Sequence, residues 1–238
     1  MDVLSFKFNG KDSFKDFGLV IDGTVVRPST NANYNTENIL GRKGTLNTFQ
    51  YWNDNQIDIK LGYIKDSKIT IDKSNILNWL NSKGDMRLYI SDDRSLFYQV
   101  NKVSVSGFDG NNIKSFSVSF SLNPFTFLDE GKDIIEIKNP TTICNTRANV
   151  ESEPYIKIYG SGDITVKINS FDLILKNVSD FIEVDSMIKN CYKTVNNKKV
   201  NCNNLMYSDF PIIELGENNI SYTGNVQKIE LIPRWCCW

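Results

Sequence analysis

The sequence predicts a mainly β protein in two domains, and three observations carry that expectation. Between Glu153 and Asp185 the apolar residues alternate almost without interruption, Ile156 and Ile158 among Tyr155, Lys157 and Tyr159, then Ile164, Val166 and Ile168 around Thr165 and Lys167. That is the period-2 pattern of half-buried strands. Phe116, Val118, Phe120 and Leu122 alternate with Ser117, Ser119 and Ser121 more strictly still, as in an antiparallel sheet with one buried and one wet face. Only the residues after Asp72 show a convincing helical stripe. At 238 residues with 40% hydrophobic content, the chain has enough apolar side chain for a real core and falls between one domain and two.

In chain order, Val3 to Phe8 reads as an alternating strand, with Leu4, Phe6 and Phe8 on one side, and Asn9-Gly10-Lys11-Asp12 as a turn. Phe14 and Phe17 lead into Gly18-Leu19-Val20-Ile21, and Asp22-Gly23 before Thr24-Val25-Val26 signals a hairpin of two short strands. From Arg27-Pro28 to about Thr45 periodicity disappears. Nearly twenty structureless residues are unusual inside a compact domain, so this stretch reads either as disordered or as an arm that finds its partners on another molecule. The apolar and basic cluster Ile39-Leu40-Gly41-Arg42-Lys43-Gly44 at its end favours the arm, although Gly41 to Gly44 by themselves read as an ordinary glycine-bounded turn that carries two basic residues. It does not have the glycine spacing of a phosphate loop.

Ile57 to Leu61 alternates as a strand, and Ile69-Thr70-Ile71 as a shorter one. Asp72 offers an N-cap to Lys73 through Asn81, where Ile76, Leu77 and Leu80 lie three and four apart and Gly84 follows. Trp79 on that helix reads as core packing rather than as a stacking platform. Met86 to Ser91 and Phe97 to Ser106 are strands. Between them Asp92 and Asp93 are neighbours on a turn, which point apart and stay solvated rather than forming an acid/base pair. Asn123-Pro124-Phe125 ends the strand from Phe116, and the charged Asp129-Glu130-Gly131-Lys132-Asp133 is the linker. The expected domains are thus 1–130 and 131–238.

In the second domain Asp133 to Lys138 opens the fold and Pro140 to Ser152 is irregular. Gly160-Ser161-Gly162-Asp163 is the turn of a hairpin within the alternating stretch, followed by strands at Phe171 to Leu175 and Phe181 to Asp185. Ser186 to Asn204, rich in Asn and Lys, reads as an exposed connection. Val226 to Pro233 is the closing strand, and Trp235-Cys236-Cys237-Trp238 a hydrophobic tail tucked against it.

Chemistry is bounded by what is missing. There is no histidine, so no Ser-His-Asp or Cys-His system can be assembled and no imidazole can ligate a metal. The cysteines, at 144, 191, 202, 236 and 237, are odd in number and lack a Cys-x-x-Cys spacing, which favours free thiols over a disulfide framework or a zinc site. No catalytic residue, metal or cofactor is expected. A net charge of −1 argues against sequence-specific nucleic-acid binding. The N-terminus has no signal-peptide pattern, and no apolar run approaches the roughly 18 residues that would span a bilayer, so a soluble protein made without export is expected.

Several of these segments, taken in order, resemble the distal tail (Dit) proteins of long-tailed bacteriophages. In the first half these are Gly18 to Ile21, Arg27-Pro28, Gly41-Arg42-Lys43-Gly44 and Asn123-Pro124-Phe125. In the second they are the Gly-Ser-Gly-Asp turn at 160, Ile182-Glu183-Val184-Asp185, and the run from Phe210 to Ile220. The resemblance implies an N-terminal β-sandwich or barrel-like domain with one short helix and an extended arm, then a C-terminal galectin-like β-sandwich. It implies a homohexameric hub ring in the virion, at the tail tip of a siphovirus or prophage. The ring joins the major tail tube protein to the tail-associated lysin or spike protein, carries receptor-binding or baseplate proteins at its rim, and passes the tape measure protein and DNA through its lumen. The arm residues Arg27, Pro28, Ile39, Leu40, Gly41, Arg42, Lys43 and Gly44 are then the expected oligomer interface. The competing reading is a carbohydrate-binding module for host adhesion, which needs an aromatic platform. The four tryptophans, at 52, 79, 235 and 238, leave the sandwich between Tyr155 and Val226 without one.

Overall fold

A computed structural model describes residues 3–63, 72–107 and 115–238; the short strand expected at Ile69-Thr70-Ile71 lies outside them. The chain is mainly β and divides into two compact units, the residues up to Thr126 together with Trp238, and Phe127–Cys237.

Unit 1 begins with β1 (Phe6–Phe8) and β2 (Lys11–Asp12), joined through Asn9 and Gly10 at φ of 50° and 78°, the left-handed pair that a two-residue hairpin requires. A five-residue helix, α1 (Ser13–Phe17), follows, which apolar periodicity did not reveal. Its signals are caps: the Asp12 carboxylate accepts from the Phe14 and Lys15 N–H groups, and Gly18 ends the turn at φ of 66°. β3 (Leu19–Ile21) pairs with β6 (Asn55–Tyr63), not with Thr24 to Val26. The hairpin expected at Asp22-Gly23 is therefore absent, because the partner strand comes from further along the chain. Between them lie β4 (Ala32–Glu37) and β5 (Leu46–Trp52), a separate two-stranded ladder.

The Asp72 N-cap and α2 (Lys73–Asn81) form as the sequence predicts, with the capping carboxylate accepting from Ser74 N–H at 2.8 Å. The helix stops at Ser82 rather than at Gly84. Its last carbonyls are satisfied from a distance, Asn9 Nδ2 donating to Trp79 and Ser82 oxygens at 3.1 Å. Trp79 is core, stacked on Phe17 with centroids 4.4 Å apart and donating from Nε1 to the Phe8 carbonyl at 2.7 Å. β7 (Arg87–Ile90), β8 (Asp93–Ser106) and β9 (Ser115–Leu128) complete a sheet ordered β2-β1-β7-β8-β9-β6-β3. Asn123-Pro124-Phe125 does not end β9, which runs on to Leu128.

In unit 2 the expected linker is a 3-10 turn at Asp129–Lys132, closed by the Arg234 N–H donating to the Gly131 carbonyl at 2.9 Å. β10 (Ile135–Ile137) and β11 (Thr141–Asn145) come next, the latter inside the stretch read as irregular. β12 (Tyr155–Ile168) is one strand of 14 residues. Gly160 to Asp163 is not a hairpin turn but a site of register shifts against the neighbouring strands, since glycine serves a bulge as well as a turn. β13 (Phe171–Val178) and β14 (Phe181–Asp185) pair with the two halves of β12. Ser186 to Asn204 is not an exposed connection. It holds the hairpin β15 (Asn190–Val195) and β16 (Lys198–Asn201), turning at Asn196 and Asn197 with φ of 50° and 61° and burying Cys191, Tyr192 and Cys202. β17 (Gly216–Ile232) is longer than the closing strand expected and pairs with β11 near its start and β10 near its end. β12 and β17 thus carry different partners at their two ends, and the sheet doubles over as a β-sandwich. The core between its layers is Ile, Val and Leu, with Ile156, Ile158, Val166, Leu173, Ile182 and Ile229 among its members. The tail closes with β18 (Cys236–Cys237), where Cys236 is buried and bridges Val150.

Candidate assembly surface

The stretch from Arg27 to Thr45 is a projecting hairpin rather than a structureless arm. β4 and β5 pair from Ala32↔Trp52 to Glu37↔Leu46, with a bulge at Asn33/Tyr34. Neither strand has a continuous buried face, which is why hydrophobic alternation missed them: the ladder is held by its own backbone bonds. At about 3.3 Å per residue, the six residues of β4 reach roughly 20 Å.

Polar contacts fix the root. Asn55 Nδ2 donates to the Pro124 carbonyl at 2.7 Å and to Thr30 Oγ1 at 3.1 Å, and Thr30 Oγ1 also bonds the Pro124 carbonyl. The Asn53 N–H donates to Asn31 O at 2.9 Å. Arg27 makes a two-oxygen bond to Asp92 at 2.8 and 2.9 Å, and Asp93 instead accepts from Ser95. The adjacent carboxylates thus turn to different partners, as the sequence predicts. Trp52 anchors an aromatic cluster with Phe49 at 5.3 Å, Phe125 at 5.6 Å and Trp238 at 5.1 Å between centroids, and Tyr34 meets Phe49 at 6.1 Å. None of these aromatics was singled out from the sequence as an arm residue. The β-favouring run from Leu46 to Trp52 is the signal that could have found them.

The tip gathers Ile39 through Gly44. The Arg42 N–H donates back to Ile39 O at 3.1 Å, and Gly41 has φ of 83°, which fits the third position of a type II turn. Leu40, at the corner of that turn, is fully exposed, with Ile39 half exposed beside it. Arg42 and Lys43 pair with no carboxylate among the described residues. The structure therefore brings Ile39, Leu40, Gly41, Arg42, Lys43 and Gly44 into one exposed knuckle. Arg27 and Pro28 stand apart from it at the root.

The outer face of β12 is the place where a sugar platform would lie. There the Lys157 and Lys228 ammonium groups stand 5.0 and 4.7 Å from the Tyr159 ring centroid, and the Tyr159 hydroxyl bonds Glu230 at 3.1 Å. The ring is already occupied by the protein's own charges. Lys157 also faces the Phe181 ring at 4.6 Å and reaches Glu183 at 3.6 Å. Tyr155, beside Glu183, has its phenol pushed well above the ordinary range by burial and by that carboxylate. Among the described residues, no three His, Cys, Asp or Glu side chains stand together as a metal-binding group.

No protein-family model and no curated protein matches the chain. Solved structures do. The Dit protein of phage SPP1, a paradigm of the hub adsorption apparatus in Gram-positive-infecting phages, aligns over 97% of this chain and 98% of its own, with a TM-score of 0.59 at 13% identity. A chain of the phage P2 baseplate in its activated conformation with Ca aligns over 97% of both chains, with a TM-score of 0.48 at 12% identity. The fold of this chain is thus Dit-like.

Proposed function

We propose that this chain is a structural, non-enzymatic phage tail protein, present in the virion as a homohexameric hub ring at the distal end of the tail tube. The ring joins the major tail tube protein to the tail-associated lysin or spike protein. Receptor-binding or baseplate proteins attach at the rim, and the tape measure protein and then DNA pass through the lumen. The observation that carries this reading is the likeness to the SPP1 hub protein over nearly the full length of both chains. The hairpin adds a physical reason for assembly. Ile39, Leu40, Tyr34, Phe49 and Tyr51 leave apolar surface in water, and covering it contributes about 25 cal/mol per Å². A hairpin that reaches forward to the next copy makes a head-to-tail contact, which closes into a ring when the rotation closes. In this reading residues 1–130 make the ring, with Leu40 as anchor and Arg42 and Lys43 seeking carboxylates on the neighbour, and 131–238 is an independent outward unit.

The test is mass by light scattering on the full chain, on Leu40→Asp, and on a variant with 38–45 replaced by a tight Asn-Gly turn. The parent assembles as hexamers, and both variants fall to smaller species with unchanged thermal midpoints. A parent that stays monomeric at every concentration, or variants that assemble as the parent does, would remove the ring or the arm's part in it.

A further inference from the structure

We infer that Cys191 and Cys202 are a disulfide-forming pair, converted by a small-molecule disulfide into a cross-link that seals the edge hairpin of unit 2. Both thiols are free in the structure and both are buried. β15 and β16 pair as Tyr192↔Asn201, Lys193↔Val200, Thr194↔Lys199 and Val195↔Lys198; one step further along the same register sets Cys191 opposite Cys202. The Cys202 N–H donates to the Cys191 carbonyl at 2.8 Å, one of the two bonds of such a pair, as the backbone leaves the strand at Cys202 with ψ of 22°. Opposite residues in an antiparallel ladder stand about 4.5 to 5.5 Å apart at Cα, inside the roughly 4.4–6.8 Å window of disulfides. Both side chains belong to the same core cluster and so lie on one face of the sheet. Asn203 Oδ1 accepts from the Cys191 N–H at 2.6 Å and holds the site in place.

Such a bond has work to do here. Among the described residues β16 is exposed along its length and pairs with β15 alone, so the hairpin is an edge element that opens readily. The chemistry balances as exchange. The Cys202 thiolate, at the less deeply buried of the two positions, attacks one sulfur of the small disulfide and releases one thiol. Cys191 then loses its proton, attacks the mixed disulfide at the Cys202 sulfur and releases the second. Two protein thiols are oxidised and one small disulfide is reduced to two thiols. Burial pushes the Cys191 thiol up to about 12, consistent with an inner thiol that acts second. The pairing follows from the two strands and does not rest on the ring.

The test uses the full chain, purified reduced and equilibrated in oxidised and reduced glutathione at graded ratios. Free thiols are trapped by alkylation, and the protein is cut after lysine and read by mass spectrometry. Lys193, Lys198 and Lys199 separate the two cysteines, so only a disulfide joins their peptides. The expected result is that cross-linked pair in native protein, unchanged when Cys144, Cys236 and Cys237 are all serine and lost in Cys202→Ser. Amide exchange across Asn190 to Asn201 should slow at least roughly tenfold on oxidation, with no such slowing in Cys202→Ser. Glutathione adducts on each cysteine without a cross-link, cross-links scattered over the other cysteines, or a pair that forms only in denaturant would overturn the assignment.

Discussion

Arg234 grips Asp185 through two hydrogen bonds, at 2.6 and 3.1 Å, from a backbone held at φ of 54°. Arginine in that left-handed region is strained, and several contacts offset the cost. Its N–H bonds Gly131 O at 2.9 Å, its Nη1 reaches Glu153 O at 3.3 Å, and the Asp185 side chain is only 7% exposed. One residue thereby ties the tail to the end of β14 through its side chain and to the 3-10 turn through its backbone, all within unit 2. Arg234→Ala leaves a buried carboxylate without its partner and should cost about 3 kcal/mol. Arg234→Lys, which lacks the planar fork, should recover only part. Urea denaturation checks both; a loss near 0.5 kcal/mol would mean that the pair behaves as a solvent-screened surface bridge.

Alkaline stability should depend on Tyr155. Burial, followed by the Glu183 carboxylate, raises its phenol above its ordinary value near 10, so the folded state holds the proton more tightly than the unfolded chain does. The contribution is complete below pH ~10 and is lost as pH rises through the folded value. Tyr155→Phe removes this proton, and its stability should fall less between pH 9 and 11.5 than the parent's does. Phenolate absorbance alongside circular dichroism measures it, and parallel curves for the two proteins would discard the idea.

What could be read in the sequence follows the reach of each signal. Strands with one buried face, such as Ile57 to Leu61 or Phe116 to Leu122, advertise themselves through alternation, and the Asp72 cap marks α2 locally. Partner choice is not local: nothing near Ile21 says that β6 lies beside it rather than Val25. The Gly-Ser-Gly-Asp segment gave the wrong topology because a bulge and a turn ask for the same residue. β15 and β16 hid because Asn and Lys on the wet face mask the buried Cys191, Tyr192 and Cys202. At the arm, Ile39 to Gly44 was legible only as an apolar and basic cluster, and its exposure comes from the structure. The ladder and aromatics that support it were not, since their order comes from pairing with each other and not from a core.

Gly160 provides a direct test of bulge against turn. A Cβ there would stand 2.3 Å from the Asn225 carbonyl oxygen, a backbone atom of β17, whereas nothing lies within 4 Å of one built at Gly162. Gly160→Ala must therefore push β12 and β17 apart and should cost about 3 kcal/mol. Gly162→Ala meets only the strain of its φ of 80°, on the order of 1 kcal/mol. Thermal midpoints of the two variants decide; equal losses would put the close approach in doubt.

The last prediction concerns how α2 is held in unit 1. Trp79 is nearly parallel to Phe17 and Phe6, at 18° and 13°, and its Nε1 reaches the Phe8 carbonyl at the end of β1. Trp79→Phe keeps an aromatic in the stack but deletes the donor and leaves part of the indole's space empty. The two losses together should cost about 2 kcal/mol. Trp79→Ala also removes the stack and should cost about 4 kcal/mol. Asn9 supplies the second hold, so Asn9→Ala should uncap the Ser82 carbonyl, leave the Trp79 carbonyl to Ser82 Oγ at 3.0 Å, and cost about 1 kcal/mol. Because Asn9 and Trp79 fasten the same end of one helix, the double variant Asn9→Ala/Trp79→Phe should lose less than the sum of the two, by about 0.5 kcal/mol or more. Guanidinium unfolding of the four proteins completes the cycle. Strict additivity would show that the cap and the indole act separately.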